Sequence, residues 1–114
     1  MAKKSLLKLS SLGGDYEVAF VIASYIGEKL AIAIEYYDSE YHALMPYATL
    51  TVNLAGEKCE KDCAFVDTNN LGEKILRWIA DNNLGAPTGR YASSGYCAYP
   101  EVKFNMDEVR KHVK

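Results

Sequence analysis

"CAFVDTNNLGEKILRWIADNNLG", Cys63 to Gly85, changes its hydrophobic period part-way along, and that change decides the fold class. Cys63 to Asp67 reads as a short strand. From Thr68 onward Leu71, Ile75, Trp78, Ile79 and Asn82 fall on one helical face, with Leu76 beside it. Thr68, Asn69 and Asn70 offer N-capping side chains, and Glu73 sits in the first turn, where the helix dipole favours a carboxylate. Gly85 is expected as the left-handed residue beyond the last turn, and Pro87 stops the helix from continuing.

Upstream, the period is two. "ATLTVNL" (Ala48 to Leu54) puts Leu50, Val52 and Leu54 on one side and Thr49, Thr51 and Asn53 on the other. "LAIAIEYY" (Leu30 to Tyr37) puts Leu30, Ile32, Ile34 and Tyr36 opposite Ala31, Ala33, Glu35 and Tyr37, which predicts a strand covered on its large face. "YEVAFVIASY" (Tyr16 to Tyr25) is rich in β-branched and aromatic residues and pairs with it as a hairpin; "SLLKLSS" (Ser5 to Ser11) supplies a first strand. "LGGD" and "IGEK" are turns, "DSEYHALMPY" is a polar connection and "AGEKCEKD" a charged turn. Downstream, "GAPTGRYASSGYCAYP" (Gly85 to Pro100) reads as a long ordered loop, and "EVKF" as a last strand with Val102 and Phe104 inward. Asn105 caps a short final helix, with Asp107 and Glu108 early and Lys111, His112 and Lys114 late, the order that complements the dipole.

The sum is one α+β domain over residues 1–114. It has a mostly antiparallel sheet of four to six strands, one main helix packed on a face and a short C-terminal helix. Strands come in runs and do not alternate with helices, which excludes a doubly wound parallel fold. At 114 residues and 49% hydrophobic content the chain can bury a core without metal or disulfide staples. The net charge of −2 and the lack of a concentrated basic stretch rank nucleic-acid binding last. The start "MAKKSLLKLSSLGG" lacks the apolar run of a signal peptide, and "VAFVIASYI" is far short of a spanning helix, so the expected location is cytoplasmic. Cys59, Cys63 and Cys97 are odd in number, which argues against a closed disulfide framework.

The ordered series VDTNN, LG, TGR, SGYC and YP, preceded by "PYATLTVNL", resembles a family of small uncharacterised proteins. These are carried by conjugative transposons, phages and other mobile elements of Gram-positive gut bacteria. The resemblance covers mainly the second half of the chain. It implies the setting of an accessory protein, of the kind that in some cases counters host defence, and it implies no activity, cofactor or site residue.

Four constellations could carry chemistry. Three cysteines with His42 or His112 make up a Cys₃His count, but no C-x₂-C knuckle occurs, so no metal or other cofactor is expected. Cys97 near Arg90 is a conceivable thiolate, yet neither histidine comes with a partner motif, and no catalytic residue is assigned. "TGRYASSG" has the glycines, hydroxyls and arginine of an anion cradle but not the Walker order. The segment Asp15 to Glu40 holds Asp15, Glu17, Glu28, Glu35, Asp38 and Glu40 against Lys29 alone and interleaves acids with tyrosines, the composition of a docking surface for a basic partner. Nine tyrosines against three phenylalanines favour half-wet surfaces over a purely apolar core. The expectation is therefore a non-enzymatic module that binds a protein partner through Arg90, Ser94, Tyr96, Tyr99, Tyr37, Tyr41, Glu35 and Asp38. The alternative is a small-ligand or enzymatic site in the 85–100 loop around Arg90, Ser94 and Cys97.

Overall fold

A computed structural model of the chain describes residues 6–11, 14–25, 29–54 and 56–114. Met1–Ser5, Leu12–Gly13, Ile26–Glu28 and Ala55 lie outside them, and with them parts of the first expected strand and of three expected turns. In chain order the described elements are β1 (Leu7–Ser11), β2 (Gly14–Tyr25), β3 (Lys29–Asp38), β4 (Ala43–Thr49), β5 (Thr51–Val52), β6 (Cys63–Val66), α1 (Thr68–Leu71), α2 (Lys74–Asp81), β7 (Gly85–Ser94), β8 (Cys97–Phe104) and α3 (Met106–Arg110). The strands form two antiparallel sheets of four, ordered β1-β2-β3-β4 and β5-β6-β8-β7.

The α+β class and antiparallel pairing hold, but the expected single sheet of four to six strands is two sheets. The cause lies at Leu50. The expected strand Ala48–Leu54 changes partner there: β4 pairs with β3, whereas β5 pairs with β6. Leu50 N–H donates to Ile32 O (2.8 Å), its carbonyl accepts from Asp67 N–H (2.9 Å), and the Thr51 hydroxyl accepts from Ile32 N–H (3.1 Å). The corner thus has its backbone groups satisfied while the chain crosses from one sheet to the other. Leu50 consequently packs in a different cluster from Val52 and Leu54, although the three alternate without a break in sequence.

The large face of β3 is covered as expected. Ile32 and Ile34 are buried and stand opposite Ile22 and Phe20 of β2. Leu9, Val18, Ala64, Val66, Val102, Phe104 and the helical residues Ile75, Ile79, Met106 and Val109 complete this main core. Trp78 anchors α2 across it: its ring meets Phe20 edge-on at 6.1 Å, and its indole N–H donates to Lys8 O at 2.7 Å. The C-terminal residues close the edge of β2 beyond β1. Phe20 N–H donates to His112 O (2.9 Å) and Lys114 N–H to Phe20 O (3.1 Å).

The expected main helix is divided. Asp67, one residue ahead of the expected caps, accepts from Asn70 N–H at 3.1 Å and starts α1. Gly72, at φ 81, ends it after one turn, and α2 begins at Lys74 with Ile75 and Ile79 buried. Asn83, at φ 57, takes the left-handed place expected of Gly85. Gly85 instead opens β7 opposite Phe104, where an added Cβ would lie 2.7 Å from Lys103 O. Asn105 stands at the N-cap of α3 but makes no side-chain cap bond; its amide donates to Asn83 O (3.2 Å). Among the described residues no helix is long and apolar enough to cross a membrane.

Candidate functional site

The stretch expected as a loop, 85–100, is a β-hairpin. β7 and β8 pair from Gly85↔Phe104 to Ser94↔Cys97, with a shift of register between Pro87 and Tyr91. Proline and glycine made the stretch look irregular, but β7 is the outer strand of its sheet. An outer strand tolerates Pro87, which lacks a donor, and a bulge at Gly89 (φ 91). Gly95 (φ 61) and Tyr96 make the two-residue turn, with glycine where a type II′ turn requires positive φ.

This turn lifts Tyr96 clear of the protein: its relative exposure is 110%, and that of Tyr91 is 64%. Ser94 flanks the turn and is exposed. Tyr99 differs. It is half-buried and packs on Leu54, Phe65 and Ala92, a second apolar cluster on the outer face of the β5-β6-β8-β7 sheet. Burial, with a hydrogen bond to Cys97, pushes its phenol pKa up.

At the base of the hairpin lies a feature that the sequence reading missed. Glu101 is 5% exposed, and each of its carboxylate oxygens has a partner: Thr88 Oγ1 donates to Oε1 at 2.8 Å and Arg90 Nη1 to Oε2 at 2.8 Å. Arg90 Nη1 also donates to Lys58 O (2.7 Å) and Nη2 to Glu57 Oε1 (3.0 Å), while the guanidinium lies over the Phe65 ring at 5.2 Å. Desolvation works to lower the Arg90 pKa, but the Glu101 and Glu57 carboxylates hold it above its ordinary value. The Cys59 thiol is pushed up by burial and by the charge and hydrogen bond of Glu101, the opposite of what a nucleophilic thiolate needs. Arg90 thus binds three groups of its own chain, where the sequence reading gave it a partner's group. With Val102 and Phe104 read as inward, Glu101 falls on the other face of the strand, and no local signal marks that face as covered.

The expected acidic surface is divided between internal tasks. Glu35 pairs with Lys114 Nζ at 2.7 Å. Asp38 accepts from Glu40 N–H (2.8 Å) and Tyr41 N–H (3.2 Å), closing the β3–β4 hairpin. Glu40 remains exposed there with Tyr41 (68%) and Tyr37 (40%), the latter's hydroxyl 3.5 Å from His42 Nδ1. Glu28 and the side chain of Asp15 lie outside the described residues. Residues 37–42 and 91–99 belong to hairpins of different sheets. Cys59, Cys63 and Cys97 are free, and among the described residues no three His, Cys, Asp or Glu side chains group as a metal set. An open depression of about 590 Å³ between β1 and α2, lined by Lys8, Glu73, Lys74, Arg77, Trp78 and Asp81, contains none of the expected site residues.

These features define a two-sheet α+β domain with aromatic hairpin ends and, beneath one of them, an ion pair between a buried carboxylate and a half-exposed arginine. Residues 19–114 match the family model described as Domain of unknown function (DUF4313), and the chain belongs to that family. No curated protein and no solved structure matches the chain.

Proposed function

We propose that this protein is a non-enzymatic binding module that engages another protein through its hairpin ends, chiefly the β7–β8 turn. The observation that carries this reading is Tyr96, fully exposed on a two-residue turn, with Tyr91 exposed on the same hairpin. A tyrosine left in water has no folding role that its exposure reveals, whereas a ring held at the end of a paired hairpin loses little entropy on docking. Tyr41 and Tyr37 with Glu40 make a second, smaller patch suited to a basic surface. The resemblance to proteins of mobile elements supplies the setting, an accessory protein whose binding counters host defence. The competing reading, a ligand or catalytic site around Arg90, Ser94 and Cys97, gains nothing from an arginine paired within its own chain and a serine at an open hairpin end.

The test is affinity capture from the native host with the intact chain as bait beside Tyr91→Ala/Tyr96→Ala. Both rings are exposed, so the variant keeps its fold and its thermal unfolding midpoint within a degree or two, roughly. A partner held by the intact chain and lost by the variant, with purified proteins reproducing the difference, bears the reading out. A partner retained at equal affinity removes the β7–β8 turn from the interface.

A further inference from the structure

The second apolar cluster is closed in a way the main core is not. Leu54, Phe65 and Ala92 are buried, with Val52, Cys59 and Tyr99 packed against them. Their outer cover includes an irregular segment, Gly56–Glu60, whose contribution to the cluster is one side chain, Cys59. Gly56, Lys58 and Glu60 are exposed. Two left-handed residues bracket the segment, Gly56 (φ 82) and Asp62 (φ 66), and Asp62 is tied to the sheet through its carbonyl, which accepts from Phe104 N–H at 2.7 Å. Arg90 holds the middle by binding Lys58 O and Glu57 Oε1. Beside this clasp the segment has one further side-chain tie, the Cys59 thiol to Glu101, and little apolar area with few ties of this kind marks a segment that opens on its own.

We propose that Gly56–Glu60 is a latched flap: it swings out as a local unit when Arg90 releases Glu57 and Lys58, while both sheets and the main core stay folded. Arg90 keeps Glu101 in the open state, so no buried charge is stranded. Opening uncovers Cys59 and one side of the Phe65 ring. The proposal stands independently of the binding reading, because it concerns the base of the hairpin and not its turn.

Two native thiols report on it. Cys59 is carried by the flap and is half-buried against the cluster, and Cys63, 4% exposed in β6, lies in the folded sheet. Their alkylation rates are followed separately by peptide mass mapping of the full chain, at fixed pH and under urea too dilute to unfold it. Cys59 reacts faster than Cys63, and its rate depends far less on urea, since local opening exposes little surface. Ile79→Ala, on the far side of the main core, speeds Cys63 on the order of thirtyfold or more and leaves Cys59 unchanged. Glu57→Gln, which loosens the latch and removes no buried group, speeds Cys59 about two- to fivefold. If Ile79→Ala accelerates both thiols equally, Cys59 is reached only by global unfolding and the flap does not exist. If Glu57→Gln leaves Cys59 unmoved, the thiol is simply accessible and the latch is overturned.

Discussion

The two apolar clusters of this protein are held shut by different physics. The main core is enclosed by the inner faces of both sheets, by α2 and α3 and by the C-terminal residues that bond Phe20. Its cover is regular structure whose backbone groups are satisfied by neighbours, so burial and hydrogen bonding reinforce each other. The second cluster is enclosed by one sheet face, an irregular segment and the Arg90–Glu101 ion pair. Here an ion pair does the closing, and its partners must stay matched for the enclosure to be stable. The same sheet serves both: Ala64 and Val66 of β6 face the main core, and Phe65 faces the second cluster. A short strand of four buried residues is thus accounted for by packing on both sides.

The sharpest way to test this difference is to cut a side chain from each cluster. Phe20→Ala removes a ring that touches Trp78 and His112 from a fully enclosed site, and the expected loss is about 3–5 kcal/mol. Leu54→Ala acts where the cover can relax, and the expected loss is about 2 kcal/mol, the low end for such a truncation. Urea unfolding of the two variants beside the intact chain measures both. An equal or greater loss at Leu54 would mean that the second cluster is as firmly enclosed as the first.

The ion pair makes the next prediction, and its content is an ordering. Arg90→Gln leaves the Glu101 carboxylate buried with no cation, answered by the Thr88 hydroxyl and the Cys59 thiol. Glu101→Gln keeps the shape, with its amide oxygen accepting from Arg90 and its NH2 donating to the Thr88 hydroxyl turned to accept, and it leaves the positive charge on a half-exposed side chain with Glu57 beside it. Removing the partner of a buried charge costs more than removing the buried charge itself. Thermal unfolding of the two variants should therefore place Arg90→Gln clearly below Glu101→Gln. The reverse order would show that the pair is solvated enough to behave as a surface salt bridge.

How much of this could be read in the sequence divides along the same line. The main core was legible where one period persists: Leu30, Ile32, Ile34 and Tyr36 along β3, or Ile75 and Ile79 on α2. It became illegible where the chain changes partner without changing pattern, as at Leu50, because alternation specifies a face but not which layer covers it. The hairpin was hidden by Pro87, Gly89 and Gly95, which mark loops in general but are tolerated on an edge strand, at a bulge and at a turn. Of the candidate tyrosines, Tyr96, Tyr41 and Tyr37 are exposed, whereas Tyr99 is half-buried. Arg90 was singled out for its charge, but its partner Glu101 was missed. A buried acid has no local signature: it is buried by a segment far away in sequence, and the strand around it alternates as any surface strand does.

The smallest expected effect compares the clusters through their thiols. Burial first, and the Glu101 charge second, raise the pKa of both Cys59 and Cys63. A raised thiol pKa means that the folded state disfavours the thiolate. The associated stability is complete below the unfolded value, about 8.5, and is lost as pH rises through the higher folded value. The intact chain should therefore lose stability on the alkaline side, and Cys59→Ala and Cys63→Ala should each make that loss less steep above about pH 8.5. Urea midpoints at several pH values check it, each variant compared with the intact chain so that lysine and tyrosine titration cancels. If the flap opens locally, the thiolate of Cys59 can form without unfolding the sheets, and its substitution should flatten the slope less than that of Cys63. An identical flattening by both would place the two thiols in one cooperative unit and count against separate closure of the second cluster.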